Sequence, residues 1–280
     1  MIMRSIFLNE ILKTYLKWRT YIGFIAIGAL VPLVQIGIKM EGGNVIRAIT
    51  RSLEQDFFFV GNLLNGYFIT TLIMNSLWVH IPFLISLVAG DQLAGEATAG
   101  TFRLILIRPA SRSRILLLKY ITTLVYATTL VLFLATLSIG LGVYLFGTGD
   151  LIVQSKSLTI IPHAEVLWRM SLGFALAIWS MWCVASLAFL FSSLVENAIG
   201  PIIGTMAVII VFLVVSNMPV EMFKSVRPYL FTSYFTVWQK AMEVPVPWSE
   251  ILSSVGILAA FSVGFYLVTW YIFVKKDVLS

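Results

Sequence analysis

The chain has 280 residues, of which 59% are hydrophobic and 11% charged, and its mean hydropathy is +0.96. A soluble domain averages about 45–50% apolar and about 25% charged residues, so a bilayer must solvate the apolar surface that no soluble fold of this length could hide. The net charge of +6 does not point to nucleic acid, because the basic residues flank the apolar runs, as they do where charge orients a membrane protein.

Residues 1–19 come first. On a helical wheel Phe7, Leu8, Ile11, Leu12, Tyr15 and Trp18 share one face, opposite Glu10, Lys13 and Lys17. This is the pattern of an interfacial amphipathic helix anchored by Trp18 and Arg19; a basic lead-in to a span reads equally well.

Runs of about 20 apolar residues place six transmembrane helices near residues 20–38, 66–90, 114–146, 167–191, 198–217 and 250–274. No small-x-small cleavage site follows the first run, so it reads as an uncleaved span. The third run exceeds what a bilayer requires and is expected to tilt or project. The fourth and fifth are joined only by residues 192–197 and should form an antiparallel hairpin. An even number of spans puts both termini on one side. The segments read as inside carry eleven Lys and Arg against seven outside, which favours both termini in the cytoplasm and the chain in the cell membrane.

Between the spans, the loop at about residues 39–65 is nearly neutral and is expected to hold a short helix. The loop after the second span is richer. Asp91 and Glu96 suit the first turns of a short helix, where the dipole favours carboxylates. Gly100 permits a bend, Pro109 ends any preceding helix, and Ser111 can cap the third span. Arg112 and Arg114 then sit at a helix N-terminus, where cations cost about 0.3–1 kcal/mol. Anionic headgroups or a partner's acidic surface would offset that cost.

Residues 218–249 are broken by Pro219, Pro228, Pro245 and Pro247 and are rich in aromatics. Such a segment lies in the interface or dips back into the membrane as a re-entrant element outside the cell. Tyr229, Phe231, Tyr234 and Phe235 are candidates for an external gate; a plain aromatic belt is the alternative.

The chain has no Gly-x-x-x-x-Gly-Lys-Ser/Thr phosphate loop, one cysteine and two histidines, so neither a cofactor, a metal site nor a catalytic activity of its own is expected. Ser76 and His80 are one turn apart, a spacing too common by chance to indicate a nucleophile–base pair. Few ionisable residues lie within the spans, which counts against an ion-coupled secondary transporter. Asn75 and His80 on the second span are candidates to line a pathway, or to make interhelical hydrogen bonds worth about 0.6 kcal/mol each.

The span layout, the amphipathic N-terminal helix and the run Gly95-Glu96…Gly100-Thr101…Pro109-x-Ser111-Arg112…Lys119 together resemble the type-2 ATP-binding-cassette (ABC) exporter permeases. The layout covers the whole chain, but the sequence-specific part is confined to about residues 90–120. The resemblance implies a single permease domain, residues 1–280. Its region 91–110 would form a cytoplasmic coupling helix in which Asp91, Glu96, Gly100, Thr101 and Arg103 dock on a separate ATP-binding subunit. It further implies a homodimer or heterodimer of permeases with two ATPase copies that hold the ATP and Mg, and export of a substrate along the dimer interface. A secondary transporter and a non-transporting membrane anchor for an ATPase are the competing readings.

Overall fold

The computed structural model describes residues 2–50, 64–100, 111–154 and 158–275. Helix α1 (Ile2–Leu16) is separated by Lys17 alone from α2 (Trp18–Thr50), whose membrane-length part ends at a kink at Glu41. Two short helices follow, α3 (Gly66–Leu77) and α4 (His80–Ala89), and then α5 (Asp91–Thr98). The long α6 (Arg112–Phe146) leads to an antiparallel hairpin of β1 (Leu151–Gln154) and β2 (Leu158–Ile161). After it come α7 (His163–Leu194), α8 (Ile199–Asn217) and the single-turn α9 (Glu221–Lys224). Two 3-10 elements, Arg227–Tyr229 and Phe231–Met242, precede α10 (Trp248–Lys275).

Among the described residues five helices are long and apolar enough to cross a membrane: α2 over Trp18–Glu41, α6, α7, α8 and α10. The pair α3–α4 qualifies only jointly and is bent by 61°. The chain thus has the helical inventory of a multi-pass, all-α membrane protein. The second span, read as one helix over 66–90, is broken at Trp78–Val79. Pro82 accounts for the break: it has no N–H to give the carbonyl four residues back, that of Trp78, and its ring crowds that carbonyl.

The bundle is organised around α7. Buried residues make up 67% of its membrane-length window, against 17% for α8 and for α10. Small buried side chains on α7 (Gly173, Ala177, Ser180, Cys183, Ala185, Ala188) let neighbours approach, the usual device where lipid removes the hydrophobic drive between helices. Two indoles lock it laterally: Trp179 donates to the Val255 carbonyl on α10 at 3.0 Å and Trp182 to the Thr128 hydroxyl on α6 at 2.9 Å.

At one end of the bundle, α3 and α6 cross so closely that a Cβ on Gly66 would sit 2.4 Å from backbone atoms of Gly142 and Val143. Asn65 caps α3 by accepting from the N–H groups of Tyr67 and Phe68, both at 3.1 Å, and donates to the Asp150 carbonyl at 2.6 Å. The Asp150 carboxylate in turn accepts from the His163 N–H at 2.8 Å, the start of α7. The hairpin between these caps was not anticipated; its β-branched residues pair well across strands, and Leu151 and Ile161 are fully buried.

The aromatic segment lies within the bundle. Phe231, Phe235 and Trp238 are each 1% exposed, and the Phe231 ring meets Phe212, Phe261 and Phe265 at centroid distances of 5.5, 5.7 and 5.9 Å. A 3-10 run of 12 residues is long, since such runs seldom exceed about four. Arg169 holds its far end, donating to the carbonyls of Ala241 (3.3 Å) and Glu243 (2.8 Å) while paired with Glu165 at 2.9 Å. Of the four residues read as a gate, Phe231 and Phe235 are therefore core. Tyr234 is half-buried and donates to the Pro228 carbonyl at 2.9 Å, and only Tyr229 is freely exposed.

Candidate functional site

Two polar constellations sit at opposite ends of α4. The first surrounds α5, which follows α4 after Gly90, whose N–H bonds the Ser86 carbonyl at 2.9 Å. No side chain of its own caps α5. Ser192, from the end of α7, does so from across the fold: its hydroxyl oxygen accepts from the N–H groups of Leu93 (3.0 Å) and Ala94 (2.9 Å) and donates to the Gly90 carbonyl at 2.6 Å. Two of the orphan donors of a helix start are thereby satisfied.

The carboxylates of α5 turn inward. Lys119 on α6, 1% exposed, donates to Glu96 and to Glu10 of α1, each at 2.6 Å, and Lys13 of α1 pairs with Glu96 as well. Asp91 accepts from Lys17 at 2.6 Å, the residue between α1 and α2, and from Arg19 at 2.8 Å in the first turn of α2. Gln92 donates to the Thr14 hydroxyl at 3.1 Å. Burial pushes the Glu96 carboxyl up, but Lys119 and Lys13 outweigh it and hold the group below the usual carboxylate range. An ion this deep is tolerated because it is paired and hydrogen-bonded.

The wheel of α1 resolves in an unexpected sense. Its buried positions are Glu10 and Thr14, 5% and 3% exposed, whereas Leu8, Leu12, Leu16 and Trp18 face outward. The apolar stripe is divided: Phe7, Ile11 and Tyr15 are half-buried, with Tyr15 against the Tyr126 ring and bonded to the Thr129 hydroxyl at 2.5 Å, while the leucines face outward.

Among the residues expected to dock a partner, Asp91 and Glu96 are thus engaged within the chain. Gly100 is exposed with φ +64°, a left-handed conformation that favours glycine. Thr101 and Arg103, with most of the 91–110 region beyond α5, lie outside the described residues. Exposure begins at Thr98, the last residue of α5, and continues through Ala99 and Gly100. Lys119, Glu10 and Ser192 were not singled out as a cluster; their one common signal is a charged or hydroxyl residue at the end of an apolar run.

The second constellation is at the α3–α4 break. Asn75, Ser76, Val79 and His80 are exposed there. Gln239 of the 3-10 segment donates to the Asn75 side-chain oxygen at 2.9 Å, Asn75 donates to the Thr71 carbonyl at 3.0 Å, and a His80 ring nitrogen lies 3.2 Å from the Ser76 carbonyl. Beside them the indole N–H groups of Trp78 and Trp238, whose rings are 5.7 Å apart, are buried without a protein partner. Asn75 and His80, proposed together from helical spacing, do share this notch. Among the described residues there is no group of three or more His, Cys, Asp or Glu able to hold a metal ion.

Fold and sites define a helical protein of multi-pass membrane type with a buried charge cluster beneath a short connecting helix. The chain belongs to the family described as "Protein of unknown function (DUF2705)", whose model matches residues 45–279. It is 28% identical over 205 residues to "Uncharacterized protein YhcI" of Bacillus subtilis (strain 168); the match covers 69% of this chain and 63% of that relative, so less than two thirds of the relative's length is matched. These matches overturn the resemblance to the type-2 ABC exporter permeases, which rested on residue spacing near 90–120. That spacing has an internal cause here: Glu96 pairs with Lys119, and a Cβ on Gly95 would come within 2.3 Å of an Asp91 carboxylate oxygen.

Proposed function

We propose that this chain is a six-span transport subunit of a cell membrane, with both termini cytoplasmic, moved by ATP hydrolysis in a separate partner. The carrying observation is the break in α3–α4. Twelve residues of α3 and ten of α4 rise about 18 and about 15 Å, which would put the break near the middle of a hydrocarbon core of about 30 Å. Polar side chains and interrupted backbone at that depth are tolerated only against protein or a water-lined cavity. Asn75, Ser76, His80 and Gln239 would line such a path for an amphipathic substrate, completed by a second permease copy. At its other end α4 runs into α5, whose exposed tip would receive motion from two ATP-binding subunits that hold the ATP and Mg.

The test uses the full-length chain reconstituted with its co-purifying ATPase in proteoliposomes, with flux of a fluorescent amphipathic probe as readout. ATP-dependent flux reduced by His80→Leu with Asn75→Leu is the expected result. Flux driven by an ion gradient without any ATPase would instead make it a secondary transporter. The inward pairing of Asp91 and Glu96 favours one second reading, a non-transporting anchor. A tightly bound ATPase with no flux would establish it.

A further inference from the structure

A cleft of about 430 Å³ opens beside the α1–α2 break, lined by Lys17, Trp18, Arg19 and Asp91 and by the small residues Gly95, Thr98, Ala99 and Ala198. We propose that it is a binding site for the phosphate of an anionic phospholipid, with the start of one acyl chain against the small lining residues.

Charge and donor count favour that occupant. Two cations on the wall face one carboxylate, Asp91, so the cleft carries an excess positive charge. Lys17 donates one bond to Asp91, and so does Arg19. An ammonium has three donors and a guanidinium five, which leaves two N–H on Lys17 and four on Arg19 for further acceptors. The side chains are 36% and 50% exposed, so they reach a ligand without leaving Asp91. The cations are also anchored, because Asp91 is itself buried and can release neither without loss.

Position argues the same way. The cleft lies at the start of a membrane-length helix, Trp18–Glu41, where headgroups begin. Trp18 is 74% exposed, and an indole at that level is an interfacial anchor. Two cations beside a lining of glycine, alanine and threonine match a phosphodiester attached to glycerol and hydrocarbon. A partner's acidic side chain offers at most two methylenes to those small residues, far less than an acyl chain does. The proposal does not depend on the transport reading, since an anchor protein would hold the same lipid.

The test is native mass spectrometry of the full-length protein in mild detergent, titrated with phosphatidylglycerol, phosphatidylcholine or glycerol 3-phosphate. Phosphatidylglycerol should bind in preference to phosphatidylcholine, and Lys17→Gln with Arg19→Gln should abolish the preference. Each basic residue near an anionic headgroup is worth about a five-fold change in binding, so the double variant should lose at least about ten-fold. That variant strips Asp91 of its partners, so Ala99→Trp provides an independent arm. It fills the cleft, leaves every ion pair in place and should displace the lipid. Lys224→Gln, an exposed cation on α9 that does not line the cleft, should change nothing. Equal binding of the two lipids, unaltered binding in Ala99→Trp, or an equal loss in Lys224→Gln would overturn the site. Glycerol 3-phosphate binding as tightly as the lipid would make it a free-phosphate site and overturn the lipid assignment.

Discussion

Lys119→Met is the most informative single change to the charge cluster. It replaces an ammonium that is 1% exposed with an apolar group of similar length, between Glu96 at 2% and Glu10 at 7%. Deleting one partner of a buried ion pair costs about 3–5 kcal/mol. Glu96 keeps Lys13, so Glu10 is the group left most exposed to the loss, and the expectation sits at the lower end, about 3 kcal/mol. The cost falls on the docking of α1, because Glu10 can escape to water by letting that helix lift. At 1.4 kcal/mol per decade, the open population should rise about hundred-fold. Hydrogen exchange on the full-length protein in nanodiscs reads this directly: amides of α1 should lose about two decades of protection while those of α7 stay unchanged. Lys119→Arg should recover part of it. Protection of α1 within two-fold of wild type would refute the idea that Lys119 clamps this helix.

Three further expectations follow from the same geometry. Ser192→Ala leaves the Leu93 and Ala94 N–H groups without their acceptor, at about 1–3 kcal/mol, and should raise exchange at those two amides before anywhere else in α5. Gly66→Ala drives a methyl into the backbone of α6; overpacking costs about 1–3 kcal/mol, so the melting temperature should drop and Gly142→Ala should not compensate. The Glu96 carboxyl is held below its ordinary value, so its contribution is present above the unfolded value of about 4.3 and is lost as pH falls through the lower folded value. Resistance of α1 to limited proteolysis should therefore decline below about pH 4.3, and Glu96→Gln should show lower resistance at neutral pH with little further loss in acid.

The long helices were legible because their signal is local. An apolar run of bilayer length announces itself, and α6, expected at 114–146, extends over Arg112–Phe146. The break in the second span was not legible from hydropathy, since the run stays apolar across Trp78 and Val79; Pro82 was the cue, and its effect appears four residues earlier. The wheel of α1 grouped Glu10 with Lys13 correctly, but a wheel shows which residues share a face and not what the face meets. Lys119 is 109 and 23 residues from its two carboxylate partners, a pairing that no spacing rule reaches. The motif near 90–120 misled for the same reason: Gly95, Glu96 and Gly100 each answer to a constraint inside the chain, so their pattern did not identify a family.

The charge cluster and the broken span form one mechanical unit. α4 ends on the Gly90 turn that Ser192 bonds, and α5 continues from it into the contacts with Lys119, Lys13, Lys17 and Arg19. Four ion pairs and two backbone N–H bonds tie α5 to α1, the Lys17 junction, α2, α6 and α7. The far end of α4 is the break at Trp78–Val79, where the α3–α4 pair is bent by 61°. Straightening that break, with Pro82→Ala to restore the N–H facing the Trp78 carbonyl, should leave α1 as protected as before while reducing exchange at the notch.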